Sequence, residues 1–258
     1  MKSFLGSCAA MALLVQSVYA FAPSSTTPTI QQSSLSFTSA IQPKSSTTIS
    51  SQLNARPQTR FRQVQSNILT RRTINEFQPT LPPHWEKSLD AAIEAAIYAP
   101  NHKRSEPWRF YLLGPKSIEK VCRLNAKIVA SKKGEEAGAK KLKRWMLMPG
   151  WLVVTCAKSD TADATDSTTM EDPMGLARED YAACCCAVQN LCLSLHSQGM
   201  GTKWTTGGVN FDDRFGDAVG FDSSEEYTVG TIWFGTPVKS PNAPGKKMGL
   251  DTVLRRVE

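Results

Sequence analysis

Hydrophobic residues recur with helical spacing between positions 89 and 97. They fall at the i, i+3, i+4, i+7 and i+8 positions that lie on one side of a helix, namely Leu89, Ala92, Ile93, Ala96 and Ile97. Pro82-Pro83 fits the first turn of this helix, where a missing backbone N–H costs nothing. The helix is expected to end at Ala99, because Pro100 disfavours helical geometry in the residue before it.

After this helix the pattern changes from helical to extended. Residues 101–106 are polar, and residues 108–113 are a β-prone apolar run that Gly114 closes. A helix and a strand therefore hold a short loop rich in hydrogen-bond donors between them. A loop on such rigid supports is suited to ligand binding.

Other apolar segments predict three further helical regions and two strands. The helices are expected over residues 61–70, 117–143 and 180–198. The strands are expected over residues 151–156 and 226–237. The region 117–143 is interrupted near Gly134 and Gly138, and Gly199 is expected to cap the last helix in the left-handed conformation. The helix over 180–198 is apolar on nearly every side, which predicts burial in the core or in a dimer interface.

Two other stretches lack such periodicity. Residues 158–175 are small and polar and too numerous for a passive connector, so they are either mobile or a lid over a site. Residues 199–208 do not match G-x-G-x-x-G, which argues against a Rossmann fingerprint. Their Thr-Thr-Gly-Gly run either presents backbone N–H groups to an anion or forms a plain glycine-rich turn.

Positive charge is concentrated at the start of the chain. The first acidic residue is Glu76, and residues 1–75 carry seven basic residues. The remaining 23 basic residues balance the 23 acidic residues, so the body of the protein is formally neutral. The high overall pI is therefore no evidence for nucleic-acid binding.

The N-terminal sequence predicts two targeting segments. Residues 1–20 have the charged start, short apolar run and small cleavage-site residues of a signal peptide, and residues 21–60 are rich in Ser and Thr without an acid. This arrangement resembles the two-part plastid presequences of diatoms and related algae. It implies a plastid location and a mature domain over 61–258; the alternative is a secreted protein with a disordered stalk.

The cysteines do not suggest a disulfide framework or a metal site. Cys184, Cys185 and Cys186 are consecutive on a predicted helix, and there is no C-x-x-C pair. They are expected to be small buried hydrophobes in a reducing compartment. Cys192 and His196 share a helix face, but no further ligand lies nearby, so no metal is predicted.

Arg71, Arg72 and Thr73 are candidates for phosphate binding. Two guanidinium groups and a hydroxyl at the end of a helix can donate several hydrogen bonds to an oxyanion. Taken alone, they are equally consistent with a solvated basic turn. His102 is likewise either a ligand contact or a hydrogen-bonded structural residue of the polar loop.

A pair of motifs around this loop resembles a known family. Ala-Pro-Asn-His-Lys at 99–103, followed by Glu-Pro-Trp-Arg-Phe at 106–110, is similar to the motif of nitroreductases, and the likeness extends over about residues 67–258. The resemblance implies an α+β fold with a central, mostly antiparallel sheet flanked by helices. It also implies a homodimer with FMN at the interface.

The resemblance extends to individual FMN-binding residues. Arg71, Arg72 and Thr73 match the triplet at the phosphate and ribityl chain, and the family's equivalent of His102 acts from the second subunit. Asn75, Tyr98 and Thr205 stand where relatives often have a basic residue. The implied cofactor-binding residues are Arg71, Arg72, Thr73, Asn75, Tyr98, His102, Trp204, Thr205, Thr206 and Lys247. No catalytic side chain is predicted, because the flavin carries the chemistry.

The implied activity is that of an FMN-dependent oxidoreductase. It would pass a hydride from NAD(P)H through FMN to a small electron-poor acceptor, such as a nitroarene, quinone or enone, by a ping-pong mechanism. One alternative is a non-catalytic FMN-binding or interaction protein, and another is a flavin-degrading or dehalogenating relative. Neither a nucleic acid nor, for the mature form, a membrane is an expected partner.

Overall fold

The computed structural model describes residues 57–158, 175–239, 241 and 248–257. The predicted signal peptide, most of the transit-like segment, nearly all of the 158–175 loop and Lys247 lie outside the described residues. Among the described residues, no helix is both long and apolar enough to span a bilayer.

Helices and strands alternate irregularly along the described chain. The helices are α1 (Pro57–Thr70), α2 (Trp85–Ala96), α3 (Pro115–Lys133), α4 (Glu135–Trp145), α5 (Gly175–Ser197), α6 (Phe215–Val219) and α7 (Leu250–Val253). The strands are β1 (Trp108–Leu112), β2 (Gly150–Ala157), β3 (Gly201–Thr205) and β4 (Glu226–Gly235). Short 3-10 turns cover His102–Arg104 and Gly208–Phe211.

The four described strands form one antiparallel sheet in the order β1-β2-β4-β3. The predicted α+β architecture, with a mostly antiparallel sheet and flanking helices, is therefore confirmed. β3 was not predicted, because the glycines and threonines of residues 199–208 suggested a turn. Residues 201–205 pair with β4, so only the first residue of the Thr-Thr-Gly-Gly run belongs to the strand, and residues 206–208 lie beyond it.

The sheet separates two hydrophobic clusters. Leu152, Val154 and Cys156 of β2 contribute to the cluster that α2 and α5 cover. The alternate residues Trp151 and Val153 contribute to the cluster on the α3 and α4 side. Strand β2 is buried on both faces, as its continuous apolar run predicted.

Helix α5 buries one side against the sheet and exposes the other. Val188, Leu191 and Leu195 are fully buried. Ala182, Cys186 and Gln189 are exposed on the opposite side. Within the single chain Cys186 is therefore exposed, contrary to the burial expected of the cysteines in the core. The small residues of this helix make it apolar also on the face that the chain itself leaves uncovered.

Residues 73 and 74 pair with the outer edge of β3, and residues 76–78 pair with residues 236–238, which follow β4. Thr73 and Thr202 form a parallel bridge, and the Ile74 N–H donates to the Thr202 carbonyl oxygen at 3.0 Å. Gly201 permits this approach, because a Cβ atom at that position would lie 2.5 Å from the Ile74 side chain. This pairing places the residues after α1 beside the strand that carries Trp204.

Several helix ends differ from the prediction. Helix α2 begins at Trp85 and not at the prolines, because His84 has the left-handed φ of 60°. It ends at Ala96, and residues 97–99 form a turn. Gly134, with φ of 87°, separates α3 from α4 as predicted, whereas Gly138 lies inside α4. Gly199 follows α5 with φ of 79°, which confirms the predicted left-handed residue.

Replacing Leu191 by Ala tests the packing of α5 on the sheet. Leu191 is fully buried, so Leu191→Ala is expected to lower the free energy of unfolding by about 2–5 kcal/mol. Leu112→Ala is the control, since Leu112 is half exposed on β1, and it should cost less than about 1 kcal/mol. Urea unfolding measures both, and equal losses would contradict the packing described for α5.

Candidate functional site

Two neighbouring cavities lie between the end of α1, the end of α5 and β3. The first has a volume of about 200 Å³, and its polar side chains are Arg71, Arg72, His196 and Thr202. The second has a volume of about 410 Å³ and is lined by Arg71, Thr73, Gln189, Cys192, Trp204 and Thr206. Arg71 lines both cavities, so they form the two parts of one candidate site.

Arg71 is a half-buried cation at the junction of the two cavities. Among the described residues, no carboxylate pairs with its guanidinium and no hydrogen-bond acceptor is assigned to it. A guanidinium without an assigned partner retains its N–H donors for a ligand. An anionic group in either cavity would meet these donors.

Arg72 is held differently, against the backbone of the turn that follows α1. Its Nη1 donates to the carbonyl oxygens of Leu69 at 2.7 Å and of Arg71 at 2.8 Å. These bonds keep a second positive charge at the rim of the first cavity. The predicted Arg-Arg-Thr group is thus brought together, with Arg71 and Arg72 at the first cavity and Arg71 and Thr73 at the second.

His196 is a site residue that the sequence suggested only as half of an improbable metal site. It lies in the last turn of α5, and its Nε2 is 3.0 Å from Thr70 Oγ1. Burial lowers the pKa of His196, and the nearby charges of Arg71 and Arg72 lower it further. The described residues contain no group of three or more side chains that could hold a metal ion.

Cys192 lines the second cavity one turn before His196. Burial raises the pKa of its thiol, although Thr202 and Arg71 oppose this effect, so it lies there as a neutral apolar wall. Cys192 and His196 lie one helix turn apart on α5, and both line the candidate site.

Asn75 does not line either cavity, and its side chain meets a cation from β3. The Lys203 ammonium donates to Asn75 Oδ1 at 2.8 Å and lies 5.3 Å from the centre of the Trp233 ring. Burial lowers the pKa of Lys203, as do the charges of Arg144 and Lys141. Position 75 is neutral, but a positive charge lies beside it. This charge could not be predicted from the sequence, because residues 75 and 203 meet only through the tertiary fold.

Alternation along β3 separates the three residues matched at its end. Trp204 and Thr206 line the second cavity, whereas Thr205 does not. The Thr205 carbonyl oxygen instead accepts a hydrogen bond from Asn210 Nδ2 at 2.8 Å. Trp204 and Thr206 therefore lie at the candidate site, and the structure assigns no cavity contact to Thr205.

Tyr98 and His102 lie towards the other end of α5. Helix α2 runs antiparallel to α5, since Gln198 donates to the Ser88 carbonyl oxygen and Asn190 to that of Ala95. The loop after α2 continues in the same direction, and His102 Nδ1 lies 2.8 Å from Glu179 Oε2. Tyr98 is 78% exposed, and neither residue lines the two cavities.

The separation of His102 from the cavities follows from the length of α5. Its partner Glu179 and the cavity residue Cys192 are thirteen positions apart along this helix. At a rise of 1.5 Å per residue, this corresponds to about 20 Å. The structure therefore does not bring all the predicted cofactor residues of one chain together.

Comparison with known proteins identifies the chain's relatives. The family model of the nitroreductase family matches residues 68–236. YfhC of Bacillus subtilis, which is assigned as an NAD(P)H nitroreductase, is 29% identical over 179 residues, covering 67% of this chain and 84% of YfhC.

Solved structures share the same fold. A nitroreductase-like family protein from Bacillus cereus superposes with a TM-score of 0.60 at 24% identity, covering 76% of this chain and 96% of that one. A protein from Desulfovibrio desulfuricans that was solved with FMN has a TM-score of 0.54 at 17% identity, covering 80% and 99%. At these identities the likeness shows the fold, and it confirms the predicted nitroreductase-like architecture.

Proposed function

The chain belongs to the nitroreductase family, and we propose that it passes a hydride from NAD(P)H through FMN to a small electron-poor acceptor by a ping-pong mechanism. It is an NAD(P)H nitroreductase-type enzyme, and its cofactor is FMN. The observation that carries the proposal is the Arg71 guanidinium, half buried and free of a described protein partner, at the junction of two cavities.

The residues present fit FMN. Its phosphate needs cationic donors, which Arg71 and Arg72 supply at the first cavity. Its ribityl hydroxyls and ring need polar side chains beside an aromatic wall, which Thr73, Thr206 and Trp204 supply at the second. We propose that these five residues hold the cofactor. Lys247, which lies outside the described residues, remains a further candidate for the phosphate.

When bound, FMN supplies the capacity to accept a hydride equivalent and to pass it on. The chain's own residues would bind and orient the cofactor. Arg71 would offset the negative charge of the phosphate, and Trp204 would shield one side of the flavin ring from water. The pair of Lys203 and Asn75 places a cation beside the segment that carries Arg71. No side chain is proposed as a catalytic acid or base. The proposed acceptor is a nitroarene, a quinone or an enone. Because residues 199–208 do not form a Rossmann fingerprint, the nicotinamide would need to dock only on the flavin.

We propose that the enzyme is a homodimer whose cofactor sites each use two chains. The chain leaves apolar side chains exposed on α1, namely Phe61, Val64, Ile68 and Leu69. Helix α5, to which α1 is tied by a bond from Asn67 Nδ2 to the Leu193 carbonyl oxygen, exposes Ala182 and Cys186. A second copy covering these faces would bury them. It would also let Tyr98 and His102 of one chain serve the cavities of the other.

For location, the proposal is the plastid of an alga with secondary plastids, and a secreted protein is the alternative. The proposal rests on the acid-free sequence of residues 1–60 with its apolar start.

The alternative of a non-catalytic FMN-binding protein had been suggested by neutral residues at positions that are often basic in relatives. The ammonium of Lys203 beside Asn75 weakens that suggestion, since the positive charge is present from another strand.

Arg71→Gln tests the proposed phosphate contact. Removing a charge-assisted bidentate donor should raise the Kd for FMN by about 10- to 100-fold and leave the oligomeric state unchanged. Quenching of flavin fluorescence measures the Kd, and light scattering measures the assembly. Arg123→Gln is the control, since Arg123 is exposed and paired with Glu119 on α3. Unchanged FMN affinity in Arg71→Gln would show that the phosphate lies elsewhere.

Mixed dimers test whether one site combines two chains. Arg71→Gln and His102→Ala protomers carrying different tags are refolded together and purified through both tags. If Arg71 of one chain serves the same site as His102 of the other, each mixed dimer contains one intact site and binds about half the FMN of the wild type at wild-type affinity. If both residues served the same chain's site, every site would carry one defect and no wild-type affinity would return.

A further inference from the structure

His196 has an arrangement that distinguishes its two ring nitrogens. Thr70 Oγ1 lies 2.7 Å from the Ser66 carbonyl oxygen, to which the hydroxyl must donate its one proton. The same Oγ1 lies 3.0 Å from His196 Nε2, so it can only accept a hydrogen bond there. The neutral ring therefore carries its proton on Nε2 and its lone pair on Nδ1.

Nδ1 of His196 is the position that is open to a further proton. Among the described residues no hydrogen bond to this nitrogen is assigned, while the ring itself lines the first cavity with Arg71 and Arg72. Thr70 fixes the orientation of the ring without consuming the lone pair. A protonated ring would keep its bond to Thr70 and gain a second donor.

The charges that face His196 oppose its protonation in the free protein. Arg71 and Arg72 approach it from the segment after α1, and its own helix contributes the neutral thiol of Cys192. Burial and the two guanidinium charges hold the pKa of His196 below its usual value. The end of α5 acts in the opposite direction, because a helix C-terminus favours a positive charge.

We propose that His196 takes up a proton from solvent at Nδ1 when a phosphate dianion enters the first cavity, and so becomes a third cationic group beside Arg71 and Arg72. This inference rests on the proposed function, because the phosphate is that of FMN. A dianion offsets the repulsion from the two arginines and adds an attraction of its own. The affinity for FMN is then linked to pH through His196, while the affinity for riboflavin, which lacks the phosphate, is not.

The direction of the linkage follows from the two protonation states. In free protein the pKa of His196 is lowered by burial, Arg71 and Arg72; with phosphate bound it is raised. Between these two values binding consumes one proton, so FMN affinity falls as pH rises through this window. Well above it, His196 is neutral in both states and contributes no charge. The phosphate has its own ionisation near about pH 6, which a variant lacking His196 retains.

Flavin titrations of the full chain test the proposal. Wild type, His196→Gln and the exposed-histidine control His84→Gln are titrated with FMN and with riboflavin at about pH 6.5 and 9. His196→Gln should weaken FMN binding about tenfold at the lower pH and less than about twofold at the higher, with riboflavin unchanged. His84→Gln should match the wild type throughout. Equal losses at both pH values, or equal losses for riboflavin, would assign His196 a structural role and overturn the proposal.

Histidine NMR gives a readout that needs no folded variant. The chain has three histidines, and the ring signals of the wild type are titrated free, with FMN and with riboflavin. One titration midpoint should rise by at least about one pH unit with FMN and stay in place with riboflavin. FMN binding without such a shift overturns the inference and leaves the proposed function intact. Failure of the wild type to bind either flavin at any pH overturns both.

Discussion

The pairing of Thr73 and Ile74 with the outer edge of β3 decides where the site forms. The bond from Ile74 to Thr202 and the bridge of Thr73 to Thr202 fix the register of a segment that belongs to no helix or strand of its own. This register brings Arg71 to the end of α5 and Thr73 to Trp204. Without it, a basic turn after α1 would lie in solvent, which was the alternative interpretation of its sequence.

Helix α5 imposes the second constraint, because it separates the predicted cofactor residues at the two cavities from Tyr98 and His102 near its other end. Its C-terminal half forms the wall of the two cavities through Gln189, Cys192 and His196. Its N-terminal end instead holds the polar loop, where Glu179 meets His102 and Asp180 accepts a 2.6 Å hydrogen bond from Ser105. A rigid helix cannot bring its two ends together. A site that uses both groups must therefore draw them from two chains.

Sequence periodicity predicted the elements that are strongly amphipathic or continuously apolar. β2 and the central part of α2 were predicted because burial alone determines their pattern. β3 could not be predicted in this way, since Gly201 is needed for the close approach of Ile74 and not for a turn. The resemblance to a family supplied the fold and selected Arg71, Thr73, Trp204 and Thr206 as site residues before any geometry was known.

The residues that sequence reasoning missed are those whose role depends on a distant neighbour. Lys203 matters because it reaches Asn75, and His196 matters because Thr70 and the two arginines surround it. Asn75, Tyr98 and Thr205 stand at positions that are often basic in relatives, and the structure places them in three different environments. Position 75 gains a cation from β3, position 205 does not line the two cavities, and position 98 is exposed.

Transfer of a hydride from NAD(P)H to bound FMN is best measured by the visible absorption spectrum of the purified full chain, recorded before and after anaerobic addition of NADPH. We expect a yellow protein whose flavin absorbance disappears without any acceptor present and returns when a quinone or nitroarene is added. Reduction before the acceptor arrives is the first half of a ping-pong cycle. A colourless protein that takes up no added FMN, or a yellow one that NADPH and NADH both leave oxidised, would contradict it.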